Sequence, residues 1–252
     1  SEPSVGSNVR EVKTRAERHG DRIFVSGQKL WISNGAQSDF AIVVCNLDGG
    51  ISMVIVDRDK GGYESRELRK MGLVGASTCE LFFDRAETSA EHVLGNAGGG
   101  LFQTLKLFES ARVFVGLTSV GIAQAALECA VSYSKEREQH GKPIGGHQLI
   151  QGYLADMATH LDAARLLCQR GLQLLELGVR CDTQTSMAKW YATEMAVEIA
   201  GKAVQIHGGN GITKEFPVER HFRNAKVMPI PDGTTEIQKL VIGRNLTGLN
   251  AF

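Results

Sequence analysis

The chain has 252 residues, 42% hydrophobic and 22% charged, with Lys+Arg and Asp+Glu balanced at 28 each and a formal net charge of zero. That is globular composition, long enough for one large domain or two smaller ones, and the absence of excess basic charge argues against nucleic acid as a partner. No apolar run approaches the length of a membrane span, and no stretch has the charged start and apolar middle of a signal peptide, so no membrane partner is expected.

Up to residue 97 the pattern is that of strands. Residues 22–33 are rich in β-branched and aromatic side chains, and residues 40–46, 51–57 and 78–84 are further short apolar runs. Turn residues separate them at Asp48-Gly49-Gly50 and Lys60-Gly61-Gly62. Short strands in succession without intervening helices predict a small antiparallel β domain, barrel or sandwich, over residues 1–97.

After Gly100 the period becomes helical. Ile150, Leu154, Met157, Leu161, Ala164, Cys168, Leu172 and Leu175 step by three or four residues along one face. Residues 101–135 and 182–207 are long, Ala-rich and free of proline, and a last helix is expected over residues 235–246. Gly178 and Gly208-Gly209-Asn210-Gly211 read as helix stops. The expected fold is therefore α+β: the β domain, then an antiparallel four-helix bundle over residues 98–252. Five cysteines, Cys45, Cys79, Cys129, Cys168 and Cys181, are scattered without a CxxC pair or a nearby histidine at ligand spacing. They read as reduced, mostly buried thiols, with no metal site.

Separated segments, in order, resemble one family. Residues 1–8, Ser-Glu-Pro-Ser-Val-Gly-Ser-Asn, are similar to the Thr-Glu-Pro-x-Ala-Gly-Ser-Asp signature of the acyl-CoA dehydrogenases. Residues 28–35, Gln-Lys-Leu-Trp-Ile-Ser-Asn-Gly, resemble that family's Trp-Ile-Thr-Asn-Gly strand, and residues 136–142 followed by His147-Gln148 resemble its Arg-x-x-Phe-Gly-Lys segment. Gln205-Ile-His-Gly-Gly-Asn-Gly211 and Asp232-Gly-Thr-Thr-Glu-Ile-Gln238 complete the set, which runs through essentially the whole chain.

The resemblance implies a flavoprotein oxidoreductase that removes two hydrogens across the Cα–Cβ bond of an acyl thioester. A base takes the α-proton and FAD takes the β-hydrogen as hydride. It implies FAD bound non-covalently between the β and helical domains, a homotetramer or dimer, an acyl-CoA or acyl-carrier substrate, and an electron-transfer flavoprotein as acceptor. It also implies a cytoplasmic enzyme, or a mitochondrial-matrix one in a eukaryote. The family's N-terminal helical domain has no counterpart in this sequence, so the chain reads as a fragment or an incomplete chain, inactive by itself.

Trp31 and Ser33 match flavin-contacting positions; the alternative for Trp31 is an ordinary core residue of a strand. Arg137, Gln139, His140, Gln205, Gly208 and Gly209 match positions that hold the pyrophosphate and adenosine. Arg supplies a planar donor fork, and adjacent glycines let backbone N–H groups approach oxyanions. The alternative is a solvated helix end and a simple helix stop. His140 stands where the family commonly has Phe, which puts the adenine-side packing in question. Thr234 and Glu236 match FAD contacts, with Thr235 and Gln238 readable as a capping box. Ser7, Arg112 and Gly233 match positions near the substrate.

Asp232 is the main departure, because the family usually places a catalytic glutamate there. Aspartate keeps the carboxylate on a shorter arm and points to a non-standard acyl group, since some relatives with Asp here oxidise cyclic or already unsaturated acyl-CoAs. The alternative is a helix N-cap, a role Asp favours. Ala111 excludes the branch whose base sits on the earlier helix, and Glu109 reads as structural. Val74 stands where many members have Arg, so a carrier contact there is in question. A non-catalytic FAD-binding subunit and a flavin monooxygenase on the same fold are the rival readings.

Overall fold

In a computed structural model, residues 1–250 are described. They form two compact units: residues 1–70 with 74–107, and residues 71–73 with those from Phe108 onward.

The first unit is a six-stranded sheet, in chain order β1 (Arg15–His19), β2 (Arg22–Ser33), β3 (Phe40–Leu47), β4 (Gly50–Asp57), β5 (Glu64–Glu67) and β6 (Thr78–Ser89). The strands lie in the order β4-β3-β1-β2-β6-β5. Alternation puts Ile23 and Val25, Val43, Cys45 and Leu47, Val54 and Val56, and Cys79, Leu81 and Phe83 into one buried cluster. Pairing is antiparallel except between β1 and β3, where Arg15 pairs with Asn46 and Ala16 with Leu47 in parallel. That pairing, and the strands β1 and β5, go beyond the expected pattern. Arg-Ala-Glu-Arg-His and Glu-Ser-Arg-Glu are polar, and only Ala16 of β1 joins the buried cluster.

The sheet carries two bulges between β2 and β6. One residue is inserted in β6 opposite Val25/Gly27, and one in β2 between Lys29 and Ile32. The inserted positions coincide with Arg85 at φ 50° and Trp31 at φ 65°, left-handed values that bulky side chains rarely adopt.

The second unit holds α2 (Gln148–Glu176), α3 (Asp182–His207), α4 (Val218–Val227) and α5 (Thr235–Thr247), together with most of α1 (Gly100–Glu136). A short hairpin, β7 (Glu138–Gln139) and β8 (Lys142–Pro143), follows α1. Val113, Val120, Ala123, Ala126 and Ala130 of α1 meet Met157, Leu161, Ala164 and Cys168 of α2, and Ala188, Ala192, Ala196, Ile199 and Ala203 of α3. Small side chains bring the helices close: a Cβ on Gly116 of α1 would lie 2.8 Å from Cys168 Sγ. Gly178 and Gly208 turn left-handed at φ 67° and 58° at the expected stops.

The helix α4 was not anticipated, because Val-Glu-Arg-His-Phe-Arg-Asn-Ala-Lys-Val is mostly polar; it buries Val218 and Ala225 and carries an Arg223–Glu219 ion pair. A second correction concerns α1, which is long and apolar enough by length and composition to cross a membrane. Its apolar residues are interleaved with Gly, Ser and Thr, so no unbroken run is seen. Part of its surface lies in the core just described.

Candidate functional site

The β unit presents Trp31 and Ser33. The bulge turns the Trp31 indole out of the sheet, leaving it 59% exposed, so it is not a core strand tryptophan. Ser33, at the end of β2, is also exposed, and Asn34 follows at φ 59°.

Beneath this strand lies a buried ion pair. Lys29 Nζ donates to Glu2 Oε1 at 2.7 Å and to the Val44 carbonyl at 2.6 Å. Glu2 also accepts from Lys13 N (2.7 Å), Thr14 N (3.0 Å) and Thr14 Oγ1 (2.6 Å). Burial pushes the Glu2 carboxyl up, and these hydrogen bonds more than offset it, leaving it at about 2. The pair pins the segment carrying Ser7, which is itself exposed.

At one end of the helical unit, Tyr133 of α1 stacks on His207 of α3 at 4.2 Å between ring centroids. Asn210 Nδ2 donates to Tyr133 Oη at 3.0 Å. Two matched segments thereby meet: the hairpin after α1 with Arg137, Gln139 and His140, and the end of α3 with Gln205, Gly208 and Gly209. All six are exposed, and His140 turns at φ 54°. Among the described residues, the Arg137 guanidinium has no hydrogen-bond or ion-pair partner. A Cβ at Gly208 or Gly209 would meet nothing within 4 Å, so this loop is open to an approaching group.

The turn before α5 is the chemically distinctive place. Asp232 lies at φ 55° and Gly233 at φ 92°. The helix cap is Thr234, whose side chain accepts from Ile237 N at 3.5 Å. The N-cap reading of Asp232 is thus corrected: the cap lies two residues later, and an N-cap needs extended rather than left-handed backbone. Nor do Thr235 and Gln238 form a capping box. Thr235 donates its hydroxyl to Glu194, and Gln238 Nε2 donates to the carbonyls of Asp232 (3.2 Å) and Gly233 (2.8 Å). Glu236 is exposed, its carboxyl lowered by the Thr234 hydroxyl.

Two cations act on Asp232. Arg112 of α1 is buried and reaches Ser186 Oγ with Nη1 at 3.4 Å, while its Nε has no partner. Lys189 of α3 is fully buried and donates to the carbonyls of Pro229 (2.7 Å) and Gly233 (2.9 Å). Burial raises the Asp232 carboxyl above its ordinary value, opposed by Lys189 and Arg112. Desolvation is the larger effect, ahead of the two cations. Glu109 accepts from Cys181 N at 3.1 Å, near the start of α3, a structural role.

Lys189 was missed because a lysine in an Ala-rich helix reads as solvent-facing. The signal available was its helical spacing: Thr185 and Ser186 four and three residues before it, and Ala192 and Thr193 three and four after it, are small residues that mark a close-packed face. Among the described residues, no group of three or more His, Cys, Asp or Glu is placed to hold a metal.

Residues 1–86 match the family model for the acyl-CoA dehydrogenase middle domain, and residues 98–247 that for the C-terminal domain. The chain is 40% identical over 254 residues to an acyl-CoA dehydrogenase of Bacillus subtilis, covering 98% of this chain and 67% of that protein. It is 39% identical over 253 residues to a cyclohex-1-ene-1-carbonyl-CoA dehydrogenase of Geobacter metallireducens, with the same coverage. A crystal structure of a glutaryl-CoA dehydrogenase from Mycobacterium smegmatis in complex with FADH2 is similar at a TM-score of 0.94 and 35% identity, over 100% of this chain and 65% of that one.

Proposed function

Because the chain belongs to the acyl-CoA dehydrogenase family, we propose that its Asp232 is the base of an FAD-dependent acyl-CoA dehydrogenation. The observation that carries this is the Asp232 turn. It holds a carboxylate in a left-handed conformation, ties its backbone down through Gln238 and Lys189, and sets its ionisation by burial against two cations. Neither a structural subunit nor a flavin monooxygenase requires such a carboxylate.

The residues present fit FAD. On the β unit Trp31 offers an exposed aromatic face and Ser33 an exposed hydroxyl; on the helical unit Arg137 offers an uncommitted donor fork, and Gly208 and Gly209 an open backbone. FAD, when bound, accepts the β-hydrogen with its electron pair. Asp232 accepts the α-proton, the electrons of that C–H bond become the new Cα–Cβ double bond, and Arg112 supplies positive charge near the developing negative charge.

Two finer statements belong to the same proposal. The substrate is a cyclic or already unsaturated acyl-CoA, supported by the shorter arm of Asp232 and by the likeness to a cyclohex-1-ene-1-carbonyl-CoA dehydrogenase. Where Cα already lies in a double bond and has no hydrogen, the proton that Asp232 takes is the γ-proton, and the electrons of that C–H bond enter the conjugated system as the hydride leaves the other ring carbon attached to Cα. The native protein is a dimer or tetramer that passes its electrons to an electron-transfer flavoprotein. The test is anaerobic titration of the full-length flavoprotein with butyryl-CoA, cyclohexanecarbonyl-CoA and cyclohex-1-ene-1-carbonyl-CoA. Flavin bleaching by a cyclic thioester is expected; bleaching by butyryl-CoA alone overturns the ring preference, and bleaching by none overturns the dehydrogenase reading.

A further inference from the structure

We propose that Lys189 is the positioning residue of the Asp232 turn: its buried ammonium clamps the backbone on both sides of the carboxylate and supplies the fixed counter-charge in whose field that carboxylate works. This rests on the reading of Asp232 as base, and it concerns a residue that belongs to none of the matched motifs.

A lysine with no exposed surface is rare, because an ammonium taken out of water must recover its solvation from protein groups. Lys189 recovers it from two carbonyls, those of Pro229 and Gly233, which bracket Asp232 in sequence. Anchoring both ends of a five-residue turn fixes Asp232 at φ 55°, a value that residues with a side chain seldom adopt, ahead of Gly233 at φ 92°. Gln238 reinforces one end from α5, donating to the Asp232 and Gly233 carbonyls. The turn is therefore held from two helices.

The charge acts separately from the clamp. Among the described residues, the Asp232 carboxylate takes part in no hydrogen bond and no direct ion pair, so it feels Lys189 through space. The groups facing the pair come from three helices: Arg112 on α1, Glu194 on α3 beside Lys189 itself, and Glu236 on α5. Arg112 is shared with Asp182 and Glu109, which draw on its charge. Lys189 is thus the largest single influence holding the Asp232 carboxyl down against burial. Burial pushes the Lys189 ammonium down to about 8, so it keeps most of its charge at neutral pH.

A merely structural lysine and a charge-supplying one differ in their pH signature. The test uses full-length flavoprotein carrying Lys189→Met, which removes charge and donors; Lys189→Gln, which keeps an amide donor without charge; and Lys189→Arg, which keeps the charge. Two readouts are taken. One is the infrared titration of the Asp232 carboxyl in 13C-aspartate-labelled protein without substrate, the band being assigned by its loss in Asp232→Asn. The other is the pH dependence of anaerobic flavin bleaching by cyclohexanecarbonyl-CoA, which carries the α-hydrogen that Asp232 takes. Both neutral variants should raise the Asp232 midpoint by on the order of one pH unit or more, the scale of a neighbouring opposite charge. The acid limb of bleaching should move with it, and Lys189→Arg should stay near the parent. An unchanged midpoint in Lys189→Gln and Lys189→Met, or a loss of rate equal at every pH, overturns the proposal. The infrared titration needs no turnover, so failure of Asp232 as base and failure of Lys189 as its positioning residue give different results.

Discussion

Gln238, buried in α5, donates from Nε2 to the carbonyl oxygen of Gly233 at 2.8 Å, and a Cβ on Gly233 would lie 2.6 Å from that same nitrogen. Side chain and missing side chain are two halves of one arrangement: the amide occupies the room that only glycine leaves. Gly233→Ala should therefore destabilise the protein through both the φ 92° strain and the clash, by roughly 1–3 kcal/mol. Gln238→Leu, which leaves the Asp232 and Gly233 carbonyls without that donor, should cost about 1–3 kcal/mol. Thermal melts of the two variants check this, and a melting temperature unchanged in both would contradict it.

The Glu2–Lys29 pair predicts an acid sensitivity. The Glu2 carboxyl sits at about 2 in the folded protein, below its ordinary value of 4.5. Its contribution to stability is complete above pH 4.5 and is lost as the pH falls towards 2. Glu2→Gln should remove that part of the acid sensitivity. It should also destabilise the protein at neutral pH by about 3–5 kcal/mol, because Lys29 is left buried and unpaired. Urea denaturation between pH 2 and 7 is the measurement, and parallel pH profiles for parent and variant would contradict the account.

Much of this architecture was legible because local pattern and tertiary role agree. The strand over residues 22–33 and the helix over residues 182–207 have the ends expected of them, since alternation in one and small-residue periodicity in the other continue until a turn residue stops them. The strands β1 and β5 were illegible for the opposite reason: they bury too little for a pattern to form. In α4, Val218, Phe222 and Ala225 do fall at i, i+4 and i+7, but on a ten-residue helix that is mostly polar. At the site, the left-handed turn of Asp232 and the Glu2–Lys29 pair, 27 residues apart in sequence, depend on contacts that no local window contains. Lys189 was hidden because its ammonium is satisfied by carbonyls 40 and 44 residues later.

Arg137 should serve the phosphates of FAD. Its guanidinium has no protein partner among the described residues, so little is lost when it turns to a ligand. Arg137→Gln should weaken FAD binding to the apoprotein by roughly tenfold or more, the scale of losing a charge-assisted hydrogen bond, with little change in melting temperature. Fluorescence titration of apoprotein with FAD reads this. An affinity equal to the parent's would make Arg137 a solvated helix-end charge.

If Asp232 removes the α-proton, its replacement by Asn must slow anaerobic flavin bleaching by the full-length protein. The substitution keeps the size of the side chain and the turn, and removes only the basic oxygen. FAD and acyl-CoA binding should be retained, with bleaching slowed on the order of a hundredfold or more, the usual scale of a general base. Asp232→Glu should remain partly active, with preference moved towards straight-chain thioesters. Bleaching by Asp232→Asn as fast as the parent's, with every thioester that works, would place the base elsewhere.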